Sequence, residues 1–201
     1  MGNRALIIPK GNESIGVYLH WYGGTDSVTA FLRYCELRDF RYFGGDRADG
    51  YGLARFIQVV GNYFGGGLSI GVQSVGEDLE SEADWLDNGI YIIDGWKISE
   101  RIGNVCQSEC YDYDLTQMLI DIDNAQPEKE RLTEGFIRAE EVEAGDLEIG
   151  DNVYFYDTIE QRFELMKIVG IDNLPYVEKY PNHDTINPNN FIRGKVRRVN
   201  K

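Results

Sequence analysis

The sequence predicts an α+β fold in which an antiparallel or mixed sheet is covered by two main helices. Apolar residues recur at intervals of three and four in residues 27–38 and 52–64, as they do in helices with one buried face. Short segments before and after these helices alternate between apolar and polar residues, which is typical of half-buried strands. A chain of 201 residues with 42% hydrophobic content is long enough to bury a sizeable core.

Residues 49–75 form the stretch around which this prediction is built. The second helix should end at Gly65, Gly66 and Gly67, because consecutive glycines adopt left-handed backbone angles and weaken a helix. From residue 68 the apolar period changes to two, which predicts a strand. The buried face should hold Leu53, Phe56, Ile57, Val60 and Phe64 of the helix and Leu68, Ile70 and Val72 of the strand.

Before this stretch, a polar turn separates the apolar segments 4–9 and 15–21, which predicts a hairpin. The second segment carries bulky side chains on both faces, so we expect it inside the sheet. The helix 27–38 should be capped by Thr25 or Asp26, because a short side-chain oxygen accepts hydrogen bonds from the first amides of a helix.

After this stretch, two tight turns enclose a short apolar strand at residues 89–96, and they predict a meander that continues to residue 102. Asp114 should cap a further helix that ends at Pro127. The polar, charged residues that follow are predicted to connect an α+β domain, residues 1–127, to a small β-rich domain or sheet extension, residues 134–201.

Four strands are predicted in the second domain, and glycine-aspartate and asparagine-rich turns separate them. Residues 147–157, LEIGDNVYFYD, resemble the entry to a strand of an SH3-like barrel. The expected architecture is therefore an SH3-like barrel or an extension of the main sheet. The predicted strands are residues 136–142, 151–157, 163–171 and 191–199.

The net charge of −14 lies in one part of the chain. Residues 77–151 contain 22 acidic and five basic residues, whereas the parts before and after them are close to neutral. This balance disfavours direct binding to nucleic acid, because duplex binding depends on Lys and Arg. No apolar run is long enough to span a bilayer, and the N-terminus does not fit a signal peptide. We therefore expect a cytoplasmic protein without membrane contact.

The acidic part of the chain predicts a surface that imitates the negative charge of nucleic acid and binds a basic groove on another protein. Solubility of an acidic protein is the simpler explanation of the same charge. Aromatic residues among the acids would supply the rigid anchors that carry binding energy at interfaces. The predicted contact residues are Asp78, Glu80, Glu82, Asp84, Trp85 and Asp87, with Asp112 and Asp114 behind them.

A second class of function is an enzyme or a small-ligand binding protein with a pocket near His20, Trp21, Asp26 and Arg55. Histidine titrates near neutral pH, and a carboxylate could orient it for acid-base chemistry. No recognisable motif supplies a nucleophile, and a strand histidine bonded to the backbone is the simpler alternative. A third class is a virion or assembly component, which would form a stable oligomer.

The sequence predicts no cofactor and no metal site. The glycines at 65–67 follow a helix, whereas a phosphate loop places its glycines before one. Cys106 and Cys110 lack histidine partners at zinc-finger spacing, and closed zinc sites need four ligands. The acids between Asp112 and Asp123 lack the EF-hand pattern that binds calcium.

Three segments together resemble a family of small uncharacterised proteins found in phages and mobile elements of bacteria. They are GVYLHWYGG at 16–24, YGLARFIQVVGNYFGGGLSIGV at 51–72 and DNGIYIIDGWKI at 87–98. The resemblance covers about the first hundred residues and carries no catalytic residues. It implies a setting in the cytoplasm of a bacterial host, where acidic phage proteins include inhibitors of restriction and other defences. The expected partner is then a host protein with a basic surface.

Overall fold

The computed structural model describes residues 3–66, 69–103, 114–157, 162–171, 175–177 and 195–199. The chain divides into two compact units, Met1–Gln126 and Pro127–Lys201. Each unit contains its own sheet with helices, so the α+β prediction is confirmed. None of the helices in the described ranges combines the length and the hydrophobicity that a membrane span requires.

The first unit is built on a mixed five-stranded sheet. Its strands, in the order β3-β2-β1-β4-β5, are β1 (Ala5–Pro9), β2 (Ile15–Leu19), β3 (Ile70–Ser74), β4 (Ile90–Asp94) and β5 (Lys97–Ile102). The predicted N-terminal hairpin forms the centre of the sheet, where β1 and β2 pair antiparallel. The contact between β1 and β4 is parallel, and the β4–β5 pair is the predicted meander.

The register of these strands gives the sheet two different apolar faces. Ile7 is paired with Tyr91 on one face, which we call the helix face. Leu6 and Ile8, with Ile90 and Ile92 of β4, lie on the opposite face, because neighbouring side chains along a strand alternate. Every residue of β1 is buried, so both faces of the sheet must be covered.

Three helices form the layer on the helix face: α1 (Thr25–Leu37), α2 (Gly50–Tyr63) and α4 (Leu115–Asn124). The Tyr91 hydroxyl donates a hydrogen bond to the Gly23 carbonyl and lies 3.2 Å from the Thr25 hydroxyl, which holds the start of α1 against the sheet. Both α2 and α4 pack against α1. The predicted cap of α1 was wrong: Gly24 is its N-cap, and Thr25 and Asp26 lie within the first turn, where an acidic side chain suits the helix dipole.

Buried polar contacts tie this layer together. The Tyr34 hydroxyl on α1 donates to the Asp123 carboxylate on α4 at 2.7 Å, and both side chains are buried. Burial and, after it, the Asp123 charge raise the pKa of the Tyr34 phenol.

The helices α2 and α4 also show predicted features. On α2, Phe56 is fully buried and its ring lies 5.1 Å from that of Phe43. As predicted, Asp114 caps α4, accepting from the Gln117 amide.

The opposite face is covered by a short helix that the sequence did not predict, α3 (Leu79–Ala83). Asp78 caps it by accepting a hydrogen bond from the Ser81 amide. Ala83 belongs to the cluster of Leu6, Ile8, Ile90 and Ile92, and Leu79 and Leu86 pack against that cluster. We therefore call this side of the sheet the α3 face.

The second unit contains one short helix, α5 (Glu134–Arg138), among its described residues, and a separate sheet. The strands are β6 (Glu140–Glu143), β7 (Asn152–Asp157), β8 (Arg162–Ile171), β9 (Pro175–Val177) and β10 (Lys195–Val199). Their order is β6-β10-β7-β8-β9, and the pairings described are antiparallel and leave β6 and β9 as edges. The described residues of this unit therefore form neither a closed barrel nor an extension of the first sheet.

One predicted strand of this unit was wrong in its first half. Residues 136–142 begin inside α5, and only the second half of the prediction belongs to β6. Thr133 caps α5 through its hydroxyl, which accepts from the Phe136 amide at 3.4 Å. A threonine cap thus starts a helix in which Phe136 and Ile137 are buried. The first four residues of the predicted strand 191–199 lie outside the described residues.

Candidate protein-binding surface

The part of the predicted contact surface that the structure describes best is residues 77–87, which we call the acidic segment. Glu77, Asp78, Glu80 and Asp84 are exposed. Trp85 lies between them and Asp87, and this residue is 76% exposed. This is an unusually large exposed fraction for the residue type that most often anchors interfaces.

The sequence of the segment explains which side chains face the sheet. Leu79 and Ala83 are four residues apart in α3, a spacing that places both on one face of a helix, and Leu86 follows in the turn after α3. These three pack on the α3 face of the sheet. Glu80, Asp84 and Trp85, which lie between or beside these three, are turned away from the sheet and exposed.

Three of the predicted contact residues have structural contacts of their own. Asp78 caps α3. Glu82 turns inward: its Oε1 accepts from the Gly76 amide, and among the described residues its Oε2 is a buried oxygen without a hydrogen-bond partner. Asp87 binds Arg4, whose Nε lies 2.8 Å from its Oδ2. Glu80, Asp84 and Trp85 are thus the predicted residues of the segment that present their side chains most directly to a partner.

The contact between Asp87 and Arg4 fastens the end of the segment to the sheet. Besides the guanidinium, the Arg4 backbone amide donates to the Asp87 carboxylate at 3.0 Å. These hydrogen bonds hold the pKa of Asp87 below its usual value. The role of Arg4 could not be found in the sequence, because no local pattern links two residues that are 83 positions apart.

The predicted pocket residue His20 lies on the same side of the sheet as the acidic segment, and the Trp21 ring contacts it. Tyr18 pairs with Leu6 in the β1–β2 register, which places Tyr18 on the α3 face, and alternation places His20 there too. The Tyr18 hydroxyl lies 3.0 Å from Nδ1 of His20, and the Trp21 ring meets the His20 ring edge-on at 4.9 Å. The register thus brings parts of two separately predicted sites to one face.

The other two predicted pocket residues belong to the helix layer. Asp26 accepts a hydrogen bond from the Ser27 amide in the first turn of α1. Arg55, on α2, donates to Gln58 and lies over the Phe40 ring at 5.7 Å. A catalytic or ligand pocket shared by His20, Asp26 and Arg55 stays a prediction.

The remaining predicted contact residues are Asp112 and Asp114. Asp114 is exposed at the start of α4, in the helix layer. Asp112 lies outside the described residues.

Of the three cysteines, Cys106 and Cys110 also lie outside the described residues. The third cysteine, Cys35, is fully buried in α1, and burial raises the pKa of its thiol. A raised pKa disfavours the reactive thiolate.

Among the residues that the structure describes, no group of three or more His, Cys, Asp or Glu side chains is placed to hold a metal ion. Comparisons with protein-family models, with curated proteins and with solved structures find no match. The function must therefore be inferred from the chain's own surface.

Proposed function

We propose that this chain is a binding protein that presents the acidic segment to a partner with a basic surface. The observation that carries the proposal is the position of Trp85, which is 76% exposed while apolar residues on either side of it pack on the sheet. The partner we propose is a host protein that handles nucleic acid or acts in defence, and binding would inhibit it by occupying its basic groove.

The exposed side chains would make two kinds of contact with the partner, one by charge and one by apolar area. Glu80 and Asp84 are exposed carboxylates, and carboxylates can meet Arg and Lys side chains arranged to receive phosphates. Their field also accelerates the encounter with a cationic partner. Trp85 supplies apolar area at a low cost in conformational entropy, because an indole has few rotatable bonds.

The experiment is affinity capture from a bacterial cytoplasmic extract at low and high salt. Captured proteins should be lost at high salt, because screening weakens exposed charge pairs. The Trp85→Ala variant and the E77Q/E80Q/D84N variant should each fail to retain the same proteins. Adding duplex DNA to the captured complex should release the partner if both bind the same groove.

A matched control separates the site from the overall charge. The variant E128Q/E143Q/E148Q removes the same number of charges from exposed positions in the second unit, and it should retain the partner as the wild type does. If both triple variants lose the partner equally, the effect comes from net charge and not from the site. If Trp85→Ala and E77Q/E80Q/D84N capture the same proteins as the wild type, the proposal is contradicted.

A further inference from the structure

The two edges of the first sheet differ in a way that points to how a partner binds. The edge strand β5 reads KISERI, with three charged residues, and its pairing with β4 contains a register shift. Charges and bulges are the devices by which natural sheets block further strand pairing. The other edge strand, β3, reads IGVQS and has no charged residue and no proline. The β3 edge therefore lacks this protection.

Hydrogen bonds show which backbone groups β3 directs outward. The His20 amide donates to the Ser69 carbonyl at 2.9 Å, and the Val75 amide donates to the Ser14 carbonyl at 3.1 Å. In an antiparallel pair, alternate residues of a strand face the neighbour. Ser69 and Val75 face β2, so Ile70, Val72 and Ser74 direct their amides and carbonyls away from it. Of the strands that the structure describes, β2 alone pairs with β3.

Side chains and charge at this edge suit an extended basic segment. Contrary to the sequence prediction of a buried side chain, Val72 is 52% exposed, and Ser74 is exposed, so an added strand would find both backbone groups and apolar surface. The chain then leads from β3 directly into the acidic segment, where Glu77 and Glu80 are exposed. Lys or Arg residues flanking the added strand would lie beside these carboxylates.

We propose that the β3 edge takes up an extended, Lys/Arg-bearing segment of the partner protein as a further strand of the sheet. Backbone hydrogen bonds would hold the segment in place, and the acidic segment would select its basic flank. This inference rests on the proposed function for the charge of the partner. It adds that the partner binds through an extended segment that pairs with β3.

The test uses the full chain and a displayed library of short random peptides. Enriched peptides should combine a run of alternating apolar residues with Lys or Arg at one end. Their affinity should fall at least about tenfold in Val72→Pro, because proline removes an outward amide that an added strand needs. Val72→Thr keeps the amide and the branched shape, and it should bind like the wild type.

Proline at position 72 leaves the amides that face β2 in place, so the variant should fold; thermal unfolding followed by circular dichroism checks this. Ser74→Pro removes another outward amide and serves as the second variant. Peptides that bind the proline and threonine variants equally, or a library without enrichment, would overturn the proposal. A wild-type dimer that Val72→Pro dissociates, without peptide binding, would assign the edge to a second copy instead.

The outcomes also separate this inference from the proposed function. If Val72→Pro captures the same proteins as the wild type while Trp85→Ala does not, the acidic surface binds the partner and the edge proposal fails. If Val72→Pro loses binding while Trp85→Ala keeps it, the edge binds a partner and the role of Trp85 fails.

Discussion

The two faces of the first sheet are covered by segments that differ in composition. On the helix face, α1, α2 and α4 bury large side chains such as Phe31, Tyr34 and Phe56. On the α3 face, the acidic segment contributes Leu79, Ala83 and Leu86 and exposes Glu80, Asp84 and Trp85 to solvent. If the acidic segment binds the proposed partner, stability and recognition lie on opposite faces of one sheet, and each can be changed with little effect on the other.

The largest expected effect is on the helix face. Phe56→Ala should lower the free energy of unfolding by about 3–5 kcal/mol, since it removes a fully buried ring and leaves a cavity beside Phe43. Urea unfolding measures the change. Tyr51→Ala, at an exposed position of the same helix, should cost less than about 1 kcal/mol. Equal losses in the two variants would contradict the assignment of the core to this layer.

The helix layer is also the part of the fold that the sequence predicts best. Its helices have apolar residues at helical spacing, and α4 has the cap and the following proline that mark its ends. The start of α1 was mispredicted because Gly24, which serves as its N-cap without a side-chain hydrogen bond, carries no oxygen to signal a cap.

The α3 face was harder to predict because its determinants are not local. Six carboxylates in residues 77–87 obscure the helical spacing of Leu79 and Ala83, and the sheet that these two and Leu86 cover is formed by strands far from them in sequence. The pairing of β1 with β4 and of Asp87 with Arg4 joins positions more than 80 residues apart. Such register and ion-pair choices depend on the whole fold. The acidic character of the surface, in contrast, follows from composition alone.

A smaller effect is expected where the acidic segment joins the sheet. Asp87→Asn should lower the free energy of unfolding at pH 7 by about 1–2 kcal/mol, because its carboxylate accepts hydrogen bonds from Arg4. The pKa of Asp87 is lowered in the folded protein. Its contribution is therefore complete above about pH 4, the ordinary aspartate value, and is lost as the pH falls through the folded-state pKa.

Urea unfolding of both proteins over a series of pH values measures this dependence. The difference between wild type and Asp87→Asn should shrink on acidification, when the wild-type carboxyl also becomes neutral. Asp84→Asn, at an exposed position of the same segment, is the control and should show little difference at any pH. A difference that stays constant in acid would show that the charge of Asp87 is not what stabilises the segment.

The smallest effect on stability is expected at the residue to which we assign most of the binding. Trp85→Ala should change the free energy of unfolding by less than about 0.5 kcal/mol, because a side chain that is 76% exposed gains little from folding. Leu86→Ala, at the next position, removes a side chain that packs on the α3 face and should cost about 1–2 kcal/mol. Urea unfolding of the two variants therefore tests the contrast within neighbouring residues. If Trp85 contributes nothing to folding but is needed for capture, its role is to bind the partner. If Trp85→Ala instead destabilises the chain as much as Leu86→Ala does, the indole belongs to the cover of the sheet and the proposed surface loses its anchor.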